Sequence, residues 1–95
     1  MRLRWTKRAE RDLDEIADYI GADSPAAAAR VVLELIDQVE KLLPRHPAVG
    51  RPGRVLGTRE LVIGGLPYIV PYRVRHKDIE ILRVLHSARR WPEDF

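Results

Sequence analysis

The feature that most constrains this chain is a change of hydrophobic period across one segment broken by proline and glycine, RHPAVGRPGRVLG (45–57). Before it, apolar residues recur every three or four positions; after it, they alternate. The first period lays an apolar stripe along a helix, and the second gives a strand one apolar face. Neither element buries its apolar side alone, so the N-terminal helices must pack on the C-terminal sheet. The 95 residues allow one domain. A domain of this size buries only about two-thirds of its unfolded surface, so a bound partner can add to its stability.

RLRW (2–5) alternates basic and apolar residues and reads as a short strand. In the next segment Ala9, Leu13, Ile16, Ala17 and Ile20 fall at helical spacing, predicting a helix over 7–21 with Thr6 as cap and Gly21 as stop. Ser24 and Pro25 then start a second helix over 25–43, proline being tolerated where a helical N–H has no partner. Ala28, Val32, Leu35, Val39 and Leu42 form its apolar stripe, and Pro44 ends it. Arg30, Glu34, Asp37 and Lys41 form the polar stripe, with two favourable i,i+4 pairs. The short connection predicts an antiparallel helical hairpin.

Beyond the 45–57 loop, TRELVI (58–63), YIVPYRVRH (68–76) and IEILRVLH (79–86) read as strands, with Lys77-Asp78 as a two-residue hairpin turn. That turn sets residue 74 opposite 81 and 72 opposite 83. Tyr68, Val70, Tyr72, Val74, Ile79, Ile81, Arg83 and Leu85 then face the helices. Arg73, Arg75, Glu80 and His86 lie on the open face, with Arg75 opposite Glu80. Pro71 donates no ladder hydrogen bond and requires an edge position or a bulge. The expected fold is α+β in the order β-α-α-β-β-β. A short strand and a helical hairpin pack on one face of a small antiparallel β-sheet (58–86), and residues 87–95 form a tail.

Charge divides unevenly. Residues 1–44 hold 7 Lys/Arg and 9 Asp/Glu, whereas residues 45–95 hold 10 and 5. Fourteen of the 17 basic residues are arginine, whose planar fork suits carboxylates and phosphates. The basic half therefore fits an anionic partner, or equally a solvated basic surface. With no cysteine and scattered His46, His76 and His86, neither disulfides nor a metal site nor another cofactor is expected. The N-terminus lacks the apolar core of a signal peptide, and no apolar run approaches the roughly 20 residues of a membrane span. A cytoplasmic protein is the expectation.

Four segments in order, RWTKRAERDLDEIADYI, LLPRHPAVGRPG, TRELVIGGLPYIVPYRV and IEILRVLHSARRWP, cover nearly the whole chain. Together they resemble the RelE/ParE superfamily of type II toxin–antitoxin toxins. The resemblance implies a growth-arresting bacterial protein, neutralised by a cognate antitoxin from the adjacent gene that covers its basic surface, with a toxin–antitoxin heterotetramer as one assembly. Its targets divide: RelE-type members cleave mRNA on the ribosome, and ParE-type members inhibit DNA gyrase. A third reading is an inactive member that binds antitoxin or regulates the operon.

Cleavage requires a held phosphate, an activated 2′-hydroxyl and a proton donor. The candidates are Arg73 for phosphate, His86 as proton donor and Glu60 as the carboxylate in a glutamate–arginine–histidine set. Arg59, Arg83, Arg89 or Arg90 could assist. Alternatively, Arg73 and Arg75 solvate the open face and His86 caps a strand. The nuclease pattern is incomplete: its alternating lysines fall on Glu60 and Val62, one arginine falls on Ile69 and another on Ser87, although Arg89 is close. Arg59 and Leu85-His86 resemble ParE-type features, which favours gyrase inhibition. Candidate residues for target or antitoxin binding are Arg59, Arg73, Arg75, His86, Arg89, Arg90 and Trp91. Arg83 is expected to stack on Tyr72 or pair with a helix carboxylate, Trp5 to join the core, and Trp91 to pack the tail or anchor a partner. Glu10, Asp14 and Asp18 form a solvated acidic stripe or, in a ParE-type protein, a gyrase contact.

Overall fold

A computed structural model describes all 95 residues. Its elements are β1 (Arg2–Trp5), α1 (Lys7–Gly21), α2 (Pro25–Leu42), β2 (Arg51–Pro52), β3 (Arg59–Val62), β4 (Tyr68–Arg75), β5 (Asp78–Ile81) and β6 (Leu85–His86). Both helices begin where side-chain caps are available. Thr6 accepts from the Ala9 N–H at 3.2 Å, and Ser24 accepts from the Ala27 N–H at 3.1 Å ahead of Pro25. The second helix stops one residue short of the expected Leu43, which is its C-cap. On its polar stripe Lys41 pairs with Asp37, whereas Glu34 accepts from Gln38 rather than pairing with Arg30.

The helical hairpin covers one face of the sheet, around a core that includes Leu35, Val39, Leu61, Val70, Tyr72, Ile79 and Ile81. Strand order is β1-β5-β4-β3-β2, with β6 beside β4. The sheet is mixed rather than wholly antiparallel, because β1 runs parallel to β5. Alternation in RLRW specifies its faces and not its direction: Leu3 and Trp5 stand beside Ile79 and Ile81, while Arg2 and Arg4 stand beside Asp78 and Glu80. Trp5 is accordingly half-buried and packed against the core. The sheet also extends beyond 58–86, since Arg51 and Pro52 of the expected loop pair with Glu60 and Arg59.

Two features of the β4–β5–β6 hairpin differ from expectation. The turn is His76-Lys77, not Lys77-Asp78, and His76 has φ 57°. Asp78 instead joins the ladder opposite Arg75 and beside Arg2, which places Arg73 rather than Arg75 directly across from Glu80. This two-residue shift preserves the faces. The second difference does not. Ile81 lies opposite Tyr72 and Leu85 opposite Ile69, so one strand advances four residues while its partner advances three. The extra residue forms a β-bulge in which the Leu82 and Arg83 N–H groups both donate to the Pro71 carbonyl, at 2.9 and 3.4 Å. Pro71 therefore sits in a central strand, with its missing donor at the bulge.

The 45–57 loop is pinned from below. Tyr72 is fully buried; its hydroxyl donates to the Pro47 carbonyl and accepts from the Gly50 N–H, both at 2.8 Å. A Cβ on Gly50 would lie 2.6 Å from the Tyr72 ring, so only glycine allows this approach.

Candidate functional site

The bulge separates the expected site residues. Beyond it the side chains change face: Val84 enters the core, and His86 stands opposite Tyr68 on the helix side. Arg73, one position out of phase with Tyr68 and Tyr72, remains on the open face. Arg73 and His86 are thus divided by the sheet, contrary to the sequence-based expectation.

On the open face, ion pairs engage the arginines. Glu80 is buried between Arg4 of β1 and Arg73 of β4, whose Nε lies 2.8 Å away, and Arg75 approaches to 3.9 Å. The Arg73 guanidinium, helped by Arg4 and Arg75, holds the Glu80 carboxyl below the usual carboxylate range against the effect of burial. Glu60 is buried too. It accepts from Arg51 Nε at 3.1 Å and from the Arg54 N–H at 2.9 Å. Six arginines (2, 4, 51, 54, 73 and 75) meet three carboxylates (Glu60, Asp78 and Glu80) here. This face carries +3, equal to the formal charge of the whole chain. Arg59 projects to the other side of β3 and holds the loop, donating to the carbonyls of Gly50 at 2.8 Å and Ala48 at 3.3 Å.

On the helix side, a cleft of about 450 Å³ runs between α1 and the β6–tail segment. Its floor is an ion pair. Arg83 donates to Asp12 through Nε at 2.7 Å and Nη2 at 3.1 Å, and the Val84 N–H adds a third bond to Asp12 at 2.9 Å. Arg83 therefore pairs with a helix carboxylate, one of its two expected structural roles, and is not free to assist chemistry. Asp12 was not among the sequence candidates, yet its signal was present. It lies among the apolar positions of α1, between Ala9, Leu13 and Ile16, where a carboxylate needs a buried cation.

The cleft walls bring together His86, Arg89, Arg90 and Trp91 with Tyr19, Tyr68 and Glu15, the last three not singled out from sequence. The His86 and Tyr68 rings meet edge-on, 5.5 Å apart. His86 Nδ1 accepts from the Ala88 N–H at 3.1 Å, so the neutral ring carries its hydrogen on Nε2. Arg89 lies over Tyr19 at 5.1 Å. Trp91 packs the tail back on the fold: its Nε1–H donates to the His86 carbonyl at 3.2 Å, and the Arg54 guanidinium covers its ring at 3.7 Å. Glu10, Asp14 and Asp18 are exposed. No group of three or more His, Asp or Glu side chains converges as metal ligands, and no helix is long and apolar enough to cross a membrane.

Residues 3–91 match the family described as "ParE toxin of type II toxin-antitoxin system, parDE". The chain is 53% identical over 92 residues to the candidate toxin Y4kP of Sinorhizobium fredii, covering 97% of this chain and 94% of that one. It is 41% identical over 85 residues to the toxin RelE2 of Caulobacter vibrioides, covering 90% and 93%. Among solved structures, a chain of the chromosomal ParDE toxin–antitoxin system of P. aeruginosa superposes with a TM-score of 0.82 at 38% identity, covering 90% of this chain and 95% of that one.

Proposed function

Because the chain belongs to the ParE toxin family of type II toxin–antitoxin systems, we propose that it arrests growth by binding and inhibiting DNA gyrase rather than by cutting mRNA. The observation carrying this reading is the division of Glu60, Arg73 and His86 by the sheet. In-line cleavage needs acid, base and phosphate-holding cation within hydrogen-bond reach of one reacting centre. Here Glu60 is saturated by Arg51 and Arg54, Arg73 is paired with Glu80, and His86 faces the helices. A protein without a convergent catalytic set acts by occupying a surface. The family implies a cognate antitoxin as the partner that neutralises it.

The test is tightly controlled expression with mRNA 5′ ends mapped, beside a supercoiling assay with purified chain and gyrase. The expected result is blocked supercoiling with intact mRNA. Codon-positioned mRNA breaks that vanish in His86→Ala would refute gyrase inhibition in favour of ribosome-dependent cleavage. Loss of neither activity would point to an inactive, antitoxin-binding member.

A further inference from the structure

The connection between β2 and β3 presents an apolar side chain to water from a firmly bonded turn. Leu56 is 100% exposed, more than any other large apolar residue of the chain. Single exposed aliphatic residues are common on protein surfaces and carry no meaning alone. What separates Leu56 is the order built beneath it. Residues 55–58 form a β-turn closed by the Thr58 N–H on the Val55 carbonyl at 3.2 Å, and the Thr58 hydroxyl donates to the same oxygen at 2.6 Å. Gly57, at the third position, has φ 80°, as a type II turn requires. Below the turn, the Gly53 N–H donates to the Thr58 carbonyl at 2.8 Å. Arg54 is fixed twice: its N–H donates to Glu60 at 2.9 Å, and its guanidinium covers the Trp91 ring of the tail at 3.7 Å. The second position of such a turn favours proline. Leucine stands there instead, outside the core cluster and with its whole surface free.

We propose that Leu56 is an anchor, a preformed apolar knob that enters an apolar pocket on the folded protein whose activity this chain arrests. The assignment rests on the reading that the chain acts by occupying a surface. A partner segment that binds as a strand or a helix needs a sheet edge or a groove. A convex tip offers neither, so the partner must supply the concave side, as a folded protein does where a buried anchor fills a pocket. Because the turn is ordered before contact, docking loses little conformational entropy, and burial of the leucine appears as affinity. The contact is apolar and needs no acidic partner. Since the fold makes no use of the Leu56 side chain, changing it alters the contact and leaves the scaffold intact.

The test is controlled expression without antitoxin, scoring growth arrest at matched protein abundance, beside supercoiling inhibition by the purified full chain, with the Tm of each variant measured. Burying a leucine is worth about ten- to a hundredfold in affinity, so Leu56→Ser should weaken activity about tenfold or more at unchanged Tm. Leu56→Met, similar in volume, should retain most of the activity. Gly57→Val forces a β-branched residue to positive φ and should weaken activity with Leu56 intact, whereas Gly57→Asn tolerates that φ and should not. Val62→Thr, at an exposed apolar position of β3, should change activity by less than about twofold. Full activity in Leu56→Ser would overturn the anchor and leave the gyrase reading standing. Growth arrest with unaffected supercoiling would overturn the gyrase reading, and the growth assay alone would then decide the anchor. An equal loss in Val62→Thr, or Leu56-dependent sedimentation with phosphatidylglycerol vesicles, would overturn the anchor in favour of general surface hydrophobicity or a lipid contact. A chain that neither arrests growth nor blocks supercoiling would overturn both.

Discussion

Replacing Asp12 by alanine tests how the tail is held to the helices. Asp12 and Arg83 are 4% and 11% exposed at their side chains, and the carboxylate receives three hydrogen bonds, one of them from the Val84 N–H beside the bulge. Removing it strands a buried guanidinium and a buried amide together. Breaking a buried pair from one side costs about 3–5 kcal/mol, a large share of the roughly 5–15 kcal/mol that holds a typical domain folded. With a urea m-value of about 1.5 kcal/mol/M, a loss of about 4 kcal/mol moves the unfolding midpoint down by roughly 2.7 M. The assay is urea unfolding followed by tryptophan fluorescence, since Trp5 packs on the core and Trp91 on the tail. The double variant Asp12→Leu/Arg83→Met removes both charges and should recover most of the loss, because an apolar pair of similar volume is often neutral or stabilising. A loss below about 1 kcal/mol in Asp12→Ala would refute the reasoning, as would a double variant no more stable than the single one.

Tyr72→Phe removes the hydroxyl that bridges Pro47 and Gly50. It should cost about 1–3 kcal/mol and speed hydrogen exchange at the Gly50 amide selectively. Stability should also depend on pH at both extremes. The folded pKa of Glu80 is depressed, chiefly by Arg73, so its contribution is intact above the ordinary value of 4.5 and is lost as pH falls through the lower folded value. Glu80→Gln should flatten that acid limb of Tm against pH. Burial raises the pKa of Tyr68 and Tyr72, so stability should hold below pH 10.0 and fall above it as the unfolded chain releases protons more readily.

Much of this architecture was legible locally. The spacing of Ala9, Leu13 and Ile16, the Ser24-Pro25 start and the capping threonine are interactions within a few residues, which a sequence displays directly. Pro71 also announced a disturbed ladder, because a missing N–H is a property of the residue itself. The open-face ion pairs were legible only in outline. Glu80 and arginines of its own hairpin could be placed on one face, but Arg4 reaches Glu80 across a parallel pairing of residues 76 positions apart. Alternation carries no information about strand direction, so that partner was out of view. The same holds for Glu60, which reads as a possible catalytic carboxylate until Arg51 and Arg54 fold over it.

By itself the sequence determined that this chain is a helical hairpin on a sheet, that its net positive charge falls in the C-terminal half, and that it resembles the RelE/ParE superfamily. Tertiary structure decided which side of the sheet each functional side chain occupies. That decision turned on one inserted residue: the bulge at Leu82-Arg83 satisfies the carbonyl of Pro71, and a one-residue slip moves every later side chain to the opposite face. His86 thereby left Arg73 and joined Tyr68, Arg89 and Tyr19 beside α1. Periodicity counted along the strand shows which residues alternate, and only the pairing partner shows where the count is interrupted.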